Sequence, residues 1–489
     1  FKTMNRVLRK LLLFKLLFLL LPVLAQDGSP FQDFGNQGLT LKNFGETSLV
    51  ISSVNQGTSG RIAVLTTEYP VLIATIGFIQ VYNEDGSTDT SFGDNGYLII
   101  ANDTGIPIDN IRVLDDNTIL YQYGDSVIKL LPNGDRDLSF GDNGSINTSS
   151  GSISVLNYAL HEDGSIYTSG IIFSTNRDYF IKKYTSNGLV DTTFGDQGHA
   201  EFPLNPFLFF YKKPIKFLDN GAILINYSTK ENTNSDILNK VVRISQNGQL
   251  DTSFGNNGSI EIYFQGLRNT AIHVFNTGSF LLSFVSYDSE NELFIRKILK
   301  FIPNGAQDIN FADNGILDGY SVAFIQENQR FITTSDTPDW EGGVIPVLKR
   351  HFSNGAFDAS FVFQYNYSEL NGYIISPTPN GKILLAGSDV WYNGPEINLL
   401  VAQYNNSPLG IDEHTNNSPL IFPNPSKDIF FITCDCELQN KRYTITDISG
   451  KIIKQGLFIH SEIMLNLSEI QRGVYFLTIE NNTLKLLKI

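Results

Sequence analysis

Residues 247–258 read NGQLDTSFGNNG, a motif that recurs along the 489-residue chain. Close copies are GSTDTSFGDNG at 86–96, NGDRDLSFGDNG at 133–144, NGLVDTTFGDQG at 187–198 and NGAQDINFADNG at 304–315, and a weaker copy, NGAFDASF, occupies 354–361. The motif phenylalanine falls at Phe92, Phe140, Phe194, Phe254, Phe311 and Phe361, so successive copies lie 48, 54, 60, 57 and 50 residues apart. A partial copy, FQDFGNQG, places Phe34 58 residues before Phe92. A period of this length predicts a fold built from similar structural units.

Each unit has the same order of turns and strands. A turn such as HEDGS at 161–165 is followed by a β-rich run, a variable polar stretch, and a second strand such as LNKVVRIS at 238–245. About four short strands per unit predict an all-β fold, with a seven-bladed β-propeller over residues 26–404. The first repeat is partial and contains only the C-terminal part of a unit, which includes the motif. The last repeat lacks this C-terminal part. We therefore expect 31–44 to pair in the same blade as 373–404 and to close the ring. The alternative is an open β-solenoid.

A structural interpretation accounts for every part of the motif. Its Asn-Gly or Asp-Gly pair supplies a turn with positive φ. The aspartate three residues after that glycine is placed to accept hydrogen bonds from nearby backbone N–H groups. The phenylalanine is the one large apolar residue in a polar loop, so it is predicted to fill the space between neighbouring blades. These structural residues are Asp89, Phe92, Asp137, Phe140, Asp191, Phe194, Asp251, Phe254, Asp308 and Phe311.

A calcium loop is the functional alternative for the motif. Asn83, Asp85 and Asp89 offer oxygen ligands at roughly alternate positions, as hard cations require. The other copies, such as LPNGDRD and TSNGLVD, lack the upstream acids. One or two carboxylates do not make a tight calcium site, so the sequence favours the structural interpretation and predicts no other cofactor.

The repeats resemble the delta-60 repeat, a β-propeller repeat family of bacterial surface proteins marked by D-G-x-x-D-x-x-F-G-x-x-G. The resemblance covers about residues 31–405, and the copies at Phe311 and Phe361 depart from it after the phenylalanine. It implies the propeller fold, and it implies no catalytic residues.

The N-terminal segment predicts a secretory signal peptide over residues 1–25. A basic stretch, MNRVLRK, precedes an apolar run of 14 residues that contains a lysine, and cleavage is expected between Ala25 and Gln26. The run is short for a membrane span, and no later segment is apolar enough to be one. Residues 26–418 carry 22 Lys and Arg against 43 Asp and Glu, so nucleic acid is not expected as a partner.

The C-terminal region has a different composition. Residues 405–419 form a polar linker rich in Asn, Ser and Pro, and residues 420–489 predict a small antiparallel β-sandwich of the immunoglobulin-like kind. This region resembles the type A sorting domain of the type IX secretion system of the Bacteroidetes. The matching residues are Pro423, Asn424, Pro425, Asp447, Gly450, Gly473 and Tyr475, with a basic end, LKLLKI. The resemblance implies export across both membranes by the type IX machinery, through the periplasm. It also implies removal of the domain, with release or attachment to surface lipopolysaccharide. A carbohydrate-binding accessory domain is the alternative.

The sequence contains no recognisable catalytic motif. It has no H-E-x-x-H, no G-x-S-x-G and no phosphate-binding loop. The favoured function is a non-catalytic surface protein that binds glycan or protein through loops on one propeller face, with Trp340, Trp391 and Tyr392 as candidate ligand aromatics. The alternative is a secreted polysaccharide hydrolase or lyase, with acidic residues from several blades meeting on the propeller face.

Overall fold

The structure is a computed structural model, and every regular element that it describes is a β-strand. The chain divides into two compact units, Phe1–Ser407 and Pro408–Ile489. The described residues are 27–45, 48–69, 76–102, 108–147, 153–172, 178–203, 207–209, 215–230, 238–288, 293–335, 343–389, 397–406, 420–422, 426–427, 429–433, 441–448, 450–457, 462–479 and 482–488. Within these ranges, no helix is long and apolar enough to span a bilayer.

The first strand of the first unit is β1 (Leu39–Asn43), and consecutive antiparallel sheets follow it along the chain. Sheet 1 contains β2 (Ser48–Gln56), β3 (Ile62–Tyr69), β4 (Ile76–Tyr82) and β5 (Tyr97–Asn102). Sheet 2 contains β6 (Ile108–Val113), β7 (Ile119–Tyr123), β8 (Ser126–Leu130) and β9 (Ser145–Asn147). Sheet 3 contains β10 (Ile153–Leu160), β11 (Ile166–Ile172), β12 (Asp178–Tyr184) and β13 (His199–Pro203). Neighbours along the chain are neighbours in each sheet, as hairpin connections dictate.

Sheets 4 to 6 repeat this arrangement with small changes. Sheet 4 contains β14 (Phe207–Phe209), β15 (Ile215–Phe217), β16 (Ile223–Lys230), β17 (Leu238–Ile244) and β18 (Ser259–Tyr263), and both β14 and β15 pair with β16. Sheet 5 contains β19 (Arg268–Val274), β20 (Phe280–Asp288), β21 (Leu293–Phe301) and β22 (Ile316–Asp318). Sheet 6 has three described strands, β23 (Ser321–Ile325), β24 (Phe331–Thr334) and β25 (Leu348–His351).

Sheet 7 joins the two ends of the first unit. It contains β26 (Leu370–Pro377), β27 (Ile383–Asp389) and β28 (Asn398–Tyr404), and β1 is its fourth strand. Strand β1 pairs antiparallel with β28, with Thr40 opposite Val401 and Leu41 opposite Leu400. The edge of β28 is therefore covered by a strand from the opposite end of the unit, which protects it from pairing with another chain.

The hydrophobic core of the first unit lies between the sheets. Seven buried clusters occur in its described residues, one between each pair of consecutive sheets and one between sheet 7 and sheet 1. In the last of these, Leu384 and Leu399 of sheet 7 pack with Ile62 of sheet 1. The order of packing is therefore circular.

The second unit contains two antiparallel sheets in its described residues. One is built from β29 (Leu420–Phe422), β30 (Ile429–Thr433) and β33 (Glu462–Asn466). The other has the order β32 (Ile452–Leu457), β31 (Arg442–Asp447), β34 (Gly473–Ile479) and β35 (Asn482–Lys488). Phe430, Leu465, Leu477 and Leu486 share one buried cluster between these sheets. The strands β31 and β32 form a hairpin, and the Gly450 N–H donates to the Asp447 carbonyl in its turn at 3.0 Å.

Candidate functional site

One motif phenylalanine lies in each of the seven clusters between sheets. The side chains are at most 2% exposed, and they are Phe34, Phe92, Phe140, Phe194, Phe254, Phe311 and Phe361. The glycine of the following copy packs on the ring, since a Cβ built on Gly305 would lie 3.0 Å from the ring of Phe254. Six of the seven phenylalanines contact the next copy of the motif in this way, and Gly28, the corresponding glycine for Phe361, lies instead against the backbone of Val362.

The motif aspartates are held inside their own loops. In every described copy that has the aspartate, its Oδ1 accepts a hydrogen bond from the backbone N–H two residues later, at 3.0 to 3.1 Å. A serine or threonine hydroxyl at that later position donates to the same oxygen in five copies. These hydrogen bonds lower the pKa of Asp137, Asp191 and Asp251.

In five copies, the Oδ2 atom of the motif aspartate pairs with a Lys or Arg side chain that lies eight residues earlier in the sequence. The pairs are Lys129–Asp137 (3.5 Å), Lys183–Asp191 (2.9 Å), Arg243–Asp251 (2.8 Å), Lys300–Asp308 (3.3 Å) and Arg350–Asp358 (2.7 Å). The first copy has Val81 at that position and uses Arg61 instead, 2.8 Å from Asp89. Several of these cations also lie over the motif ring, as Arg243 does at 4.7 Å from the centroid of Phe254. These cations were not predicted from the sequence, although their eight-residue spacing from the aspartate recurs in five copies.

Backbone hydrogen bonds join successive copies of the motif into a closed ring. The N–H after each motif phenylalanine donates to the carbonyl of the residue that precedes the motif glycine in the next copy. The links are Gly35 to Asp85, Gly93 to Asn133, Gly141 to Asn187, Gly195 to Asn247, Gly255 to Asn304, Ala312 to Asn354 and Val362 to Asp27. The last link shows that the partial copy at Phe34 begins at Asp27-Gly28. The sequence analysis missed this because Phe31 stands where the other copies have the aspartate.

A buried ion cluster lies where this hydrogen-bond ring closes. Arg350 is 0% exposed and bridges Asp27 and Asp358, each at 2.7 Å. It also donates to the side chain of Asn406 at 3.1 Å. The cluster thus joins Asp27 near the start of the first unit, Asp358 in the last motif copy and Asn406 near the end of the unit. Asn405 and Asn406, which the sequence predicts as the start of the linker, are buried in this unit.

The pKa values of the two carboxylates of the cluster are shifted in opposite directions. Burial raises the pKa of Asp27, against the opposing effect of Arg350. Burial also acts to raise the pKa of Asp358, but hydrogen bonds from Ser360 and the Arg350 charge lower it overall. Both side chains are at most 4% exposed, so the cluster is closed to solvent.

Two of the calcium candidates, Asn83 and Asp89, line a small cavity of about 230 Å³. The Oδ1 atom of Asp85 accepts hydrogen bonds from the Ser87 N–H and hydroxyl, and Asn83 donates to the same hydroxyl at 2.9 Å. The guanidinium of Arg61 lines the cavity and pairs with Asp89. Across the part of the chain that the structure describes, no three His, Cys, Asp or Glu side chains are grouped as a metal site requires. The calcium loop stays a prediction.

Several predicted functional residues lie outside the described residues. These are the candidate aromatics Trp340, Trp391 and Tyr392, the cleavage positions Ala25 and Gln26, and the sorting residues Pro423, Asn424 and Pro425. Of the other sorting residues, Asp447 and Gly450 form the β31–β32 turn. Tyr475 is 8% exposed, and its hydroxyl donates to the Gln471 carbonyl at 2.8 Å.

A larger cavity lies between sheets 1 and 2, with a volume of about 480 Å³. We call it the β5–β9 groove. Its apolar wall comes from β5, and its other wall comes from β7, β8, β9 and the motif loop between the last two. The side chains that characterise it are Ile99, Tyr121, Tyr123, Arg136 and Asn147.

Comparison with known proteins identifies the C-terminal region. Residues 420–489 match the family described as "Secretion system C-terminal sorting domain". This domain directs export through type IX secretion to the cell surface or the extracellular space. No curated protein matches the sequence significantly.

Three solved structures illustrate distant likenesses to this chain. PorZ, an essential surface component of the type-IX secretion system of Porphyromonas gingivalis, is 12% identical with a TM-score of 0.40, over 89% of this chain and 59% of PorZ. This chain therefore spans 59% of the length of PorZ. The β-propeller domain of the Trilobed protease from Pyrococcus furiosus is 10% identical with a TM-score of 0.38, over 76% of this chain and 99% of that domain. A PL25 ulvan lyase is 10% identical with a TM-score of 0.40, over 75% of this chain and 96% of the lyase. Likenesses this distant indicate no function.

Proposed function

We propose that the first unit is a seven-bladed β-propeller of delta-60-like repeats that binds glycan or protein outside the cell without catalysis. Sheets 1 to 7 are its blades, and the motif loops are the joints between them. The second unit is an immunoglobulin-like sorting domain of a Bacteroidetes protein, exported after removal of residues 1–25. Removal of the sorting domain then releases the propeller or attaches it to surface lipopolysaccharide.

The observation that carries the non-catalytic assignment is the state of the repeated carboxylates. A general acid needs a carboxyl group whose pKa is raised and which faces a cleft. The motif aspartates are instead fixed by backbone N–H groups and paired with cations, and the pKa of Asp137, Asp191 and Asp251 is lowered. These carboxylates stabilise the scaffold and are not available for proton transfer.

The ion cluster at Arg350 is the strongest argument for the alternative, a polysaccharide hydrolase or lyase. Asp27 and Asp358 have pKa values shifted in opposite directions, as catalytic acid and base pairs often do. However, Arg350 lies between the two carboxylates and is fully buried. A polysaccharide cannot reach these groups in the closed ring, so we assign the cluster a structural role.

A glycan array probed with the purified protein, first in calcium and then in chelator, tests the proposed function. We expect binding to a restricted set of glycans and no decrease in polymer length on prolonged incubation. Loss of binding in chelator would support the calcium loop at Asn83, Asp85 and Asp89. Depolymerisation of any bound glycan would contradict the non-catalytic assignment.

A further inference from the structure

Arg136 departs from the repeat at a position where the other copies have no charge. The residue before the motif aspartate is Thr88, Val190, Leu250, Gln307 or Phe357 in the other copies, but it is Arg136 in the second. Lys129 already pairs with Asp137 in this copy, at 3.5 Å. Arg136 is therefore not the cation that holds the motif aspartate.

The guanidinium of Arg136 is available for a ligand. The side chain is exposed, and among the described residues it has neither a carboxylate partner nor a hydrogen bond. It folds over the turn that closes the motif, since a Cβ built on Gly144 would lie 2.6 Å from its Cγ. This position places it in the lining of the β5–β9 groove.

Two tyrosines line the groove with this cation. Tyr121 is 4% exposed, and burial raises its pKa to about 12 even though the charge of Arg136 acts to lower it. Its hydroxyl therefore stays protonated and can donate a hydrogen bond at any physiological pH. Tyr123 lies close enough to raise the pKa of Tyr121 slightly further. The groove thus combines a free guanidinium with phenol groups on one wall.

The opposite wall supplies apolar surface. Ile99 is 53% exposed at the middle of β5, and Leu98 and Ile100 also line the cavity. Carbohydrate-binding sites commonly combine apolar or aromatic surface for the sugar ring with a few polar groups that fix its orientation. A guanidinium adds bidentate recognition of a carboxylate or sulfate group.

We propose that the β5–β9 groove binds an acidic sugar residue, with the guanidinium of Arg136 pairing with its carboxylate or sulfate. The inference rests on the glycan-binding form of the proposed function and names its ligand class. The chain has a formal net charge of −15 and repels polyanions in general. Local recognition by Arg136 in an apolar groove, rather than general attraction, therefore determines binding.

The test is titration calorimetry of the full chain with a hexamer of galacturonic acid and, as the neutral counterpart, maltohexaose. We expect the acidic hexamer to bind and Arg136→Gln to weaken it by at least about tenfold, as loss of a charged hydrogen bond does. Arg268→Gln removes an exposed cation from β19 in sheet 5 and serves as the matched control, with unchanged affinity expected. A sulfated hexamer of the same length distinguishes sulfate from carboxylate recognition.

The outcomes separate this inference from the proposed function. Equal affinity of Arg136→Gln and the unsubstituted chain for the acidic hexamers would overturn the assignment of Arg136. Preference for maltohexaose would overturn the acidic class and leave glycan binding intact. No binding of any of these hexamers by folded protein would overturn the inference, while binding elsewhere on the glycan array would still support the proposed function.

Discussion

Phe254 illustrates how one side chain connects two sheets. It is fully buried in the cluster between sheets 4 and 5, and Arg243 lies over its ring. We expect Phe254→Ala to lower the free energy of unfolding by about 3–5 kcal/mol, because it leaves a cavity in a packed core. Urea denaturation followed by tryptophan fluorescence measures the change. Leu250→Ala, in the same motif but 44% exposed, is the control and should change stability little. A neutral effect of Phe254→Ala would contradict the packing role.

Ala312 occupies a backbone position where the other complete copies have glycine. Its φ is 47°, in the left-handed region, where a side chain is strained. The hydrogen bond from Asp313 N–H to the Ile316 carbonyl is 3.1 Å long, against 2.7 Å for the corresponding bond of Asn256. We expect Ala312→Gly to raise the free energy of unfolding by about 0.5–1 kcal/mol, after the entropy cost of glycine is included. A lower urea midpoint for Ala312→Gly would contradict this account of the strain.

The sequence predicts much at the scale of single residues, but not the partners of those residues. One large apolar residue in a polar loop predicts burial, and the structure buries all seven motif phenylalanines. The cations that pair with the aspartates lie on a preceding strand, so only the recurrence of the eight-residue spacing could have indicated them. Arg136 stands out once the copies are aligned, but its place in a groove depends on strands of two sheets.

The ion cluster at Arg350 connects three elements that are distant in sequence. Arg350→Met would leave Asp27 buried without its cation and Asp358 with only Arg330, 3.2 Å away, and we expect a loss of about 3–5 kcal/mol in the free energy of unfolding. Asp27→Asn keeps a polar partner for Arg350, and Arg350 also keeps its ion pair with Asp358. We therefore expect Asp27→Asn to lower the free energy of unfolding clearly less than Arg350→Met does. Paired urea denaturation curves measure both. Equal costs for the two variants would contradict the central role of Arg350.

The motif aspartates that pair with Lys or Arg should make the stability of the first unit sensitive to acid. The pKa of Asp191 is about 2 in the folded chain, through hydrogen bonds from Thr193 and Lys183, and lies below its unfolded value of about 3.9. The stability that it contributes is therefore present above pH 4 and is lost as pH falls towards 2. The pKa of Asp27 is raised, so that group titrates in the opposite sense and offsets part of the loss.

Urea midpoints measured at pH 5 and pH 2.5 test this expectation. We expect the midpoint to fall between these values, and Lys183→Met to reduce the fall because Asp191 then loses its cation. The control is Lys182→Met, at the neighbouring position of β12, which should leave the pH dependence unchanged. Identical midpoints at the two pH values in the unsubstituted chain would contradict the role of these ion pairs.

Repeat units of about four strands could be predicted from the sequence because turns and apolar runs recur along the chain at similar spacings. The ends of the first unit could be predicted less well. The motif copy at Asp27 has Phe31 in place of the aspartate, and Asn405 and Asn406 read as linker because they are polar. Asn405 is held by hydrogen bonds to residues more than 370 positions away, such as its N–H to the Ser29 carbonyl, and the Asn406 side chain bonds with Arg350 and Gly381. Sequence patterns of short range do not contain this information.

At the scale of the whole molecule, the central claim is that the first unit is a closed ring and not an open array. In a closed ring, Thr40 lies opposite Val401 although 361 residues separate them. The direct test is disulfide formation by Thr40→Cys with Val401→Cys, in a chain whose Cys434 and Cys436 are replaced by serine. Lys240→Cys with Glu261→Cys, a facing pair on neighbouring strands, is the positive control.

Mass spectrometry of the non-reduced digest identifies the cross-linked peptides. We predict that the disulfide between positions 40 and 401 forms as completely as the control disulfide, within monomers and without denaturant. An uncross-linked 40–401 pair beside a fully cross-linked control would contradict ring closure and would favour an open array of sheets.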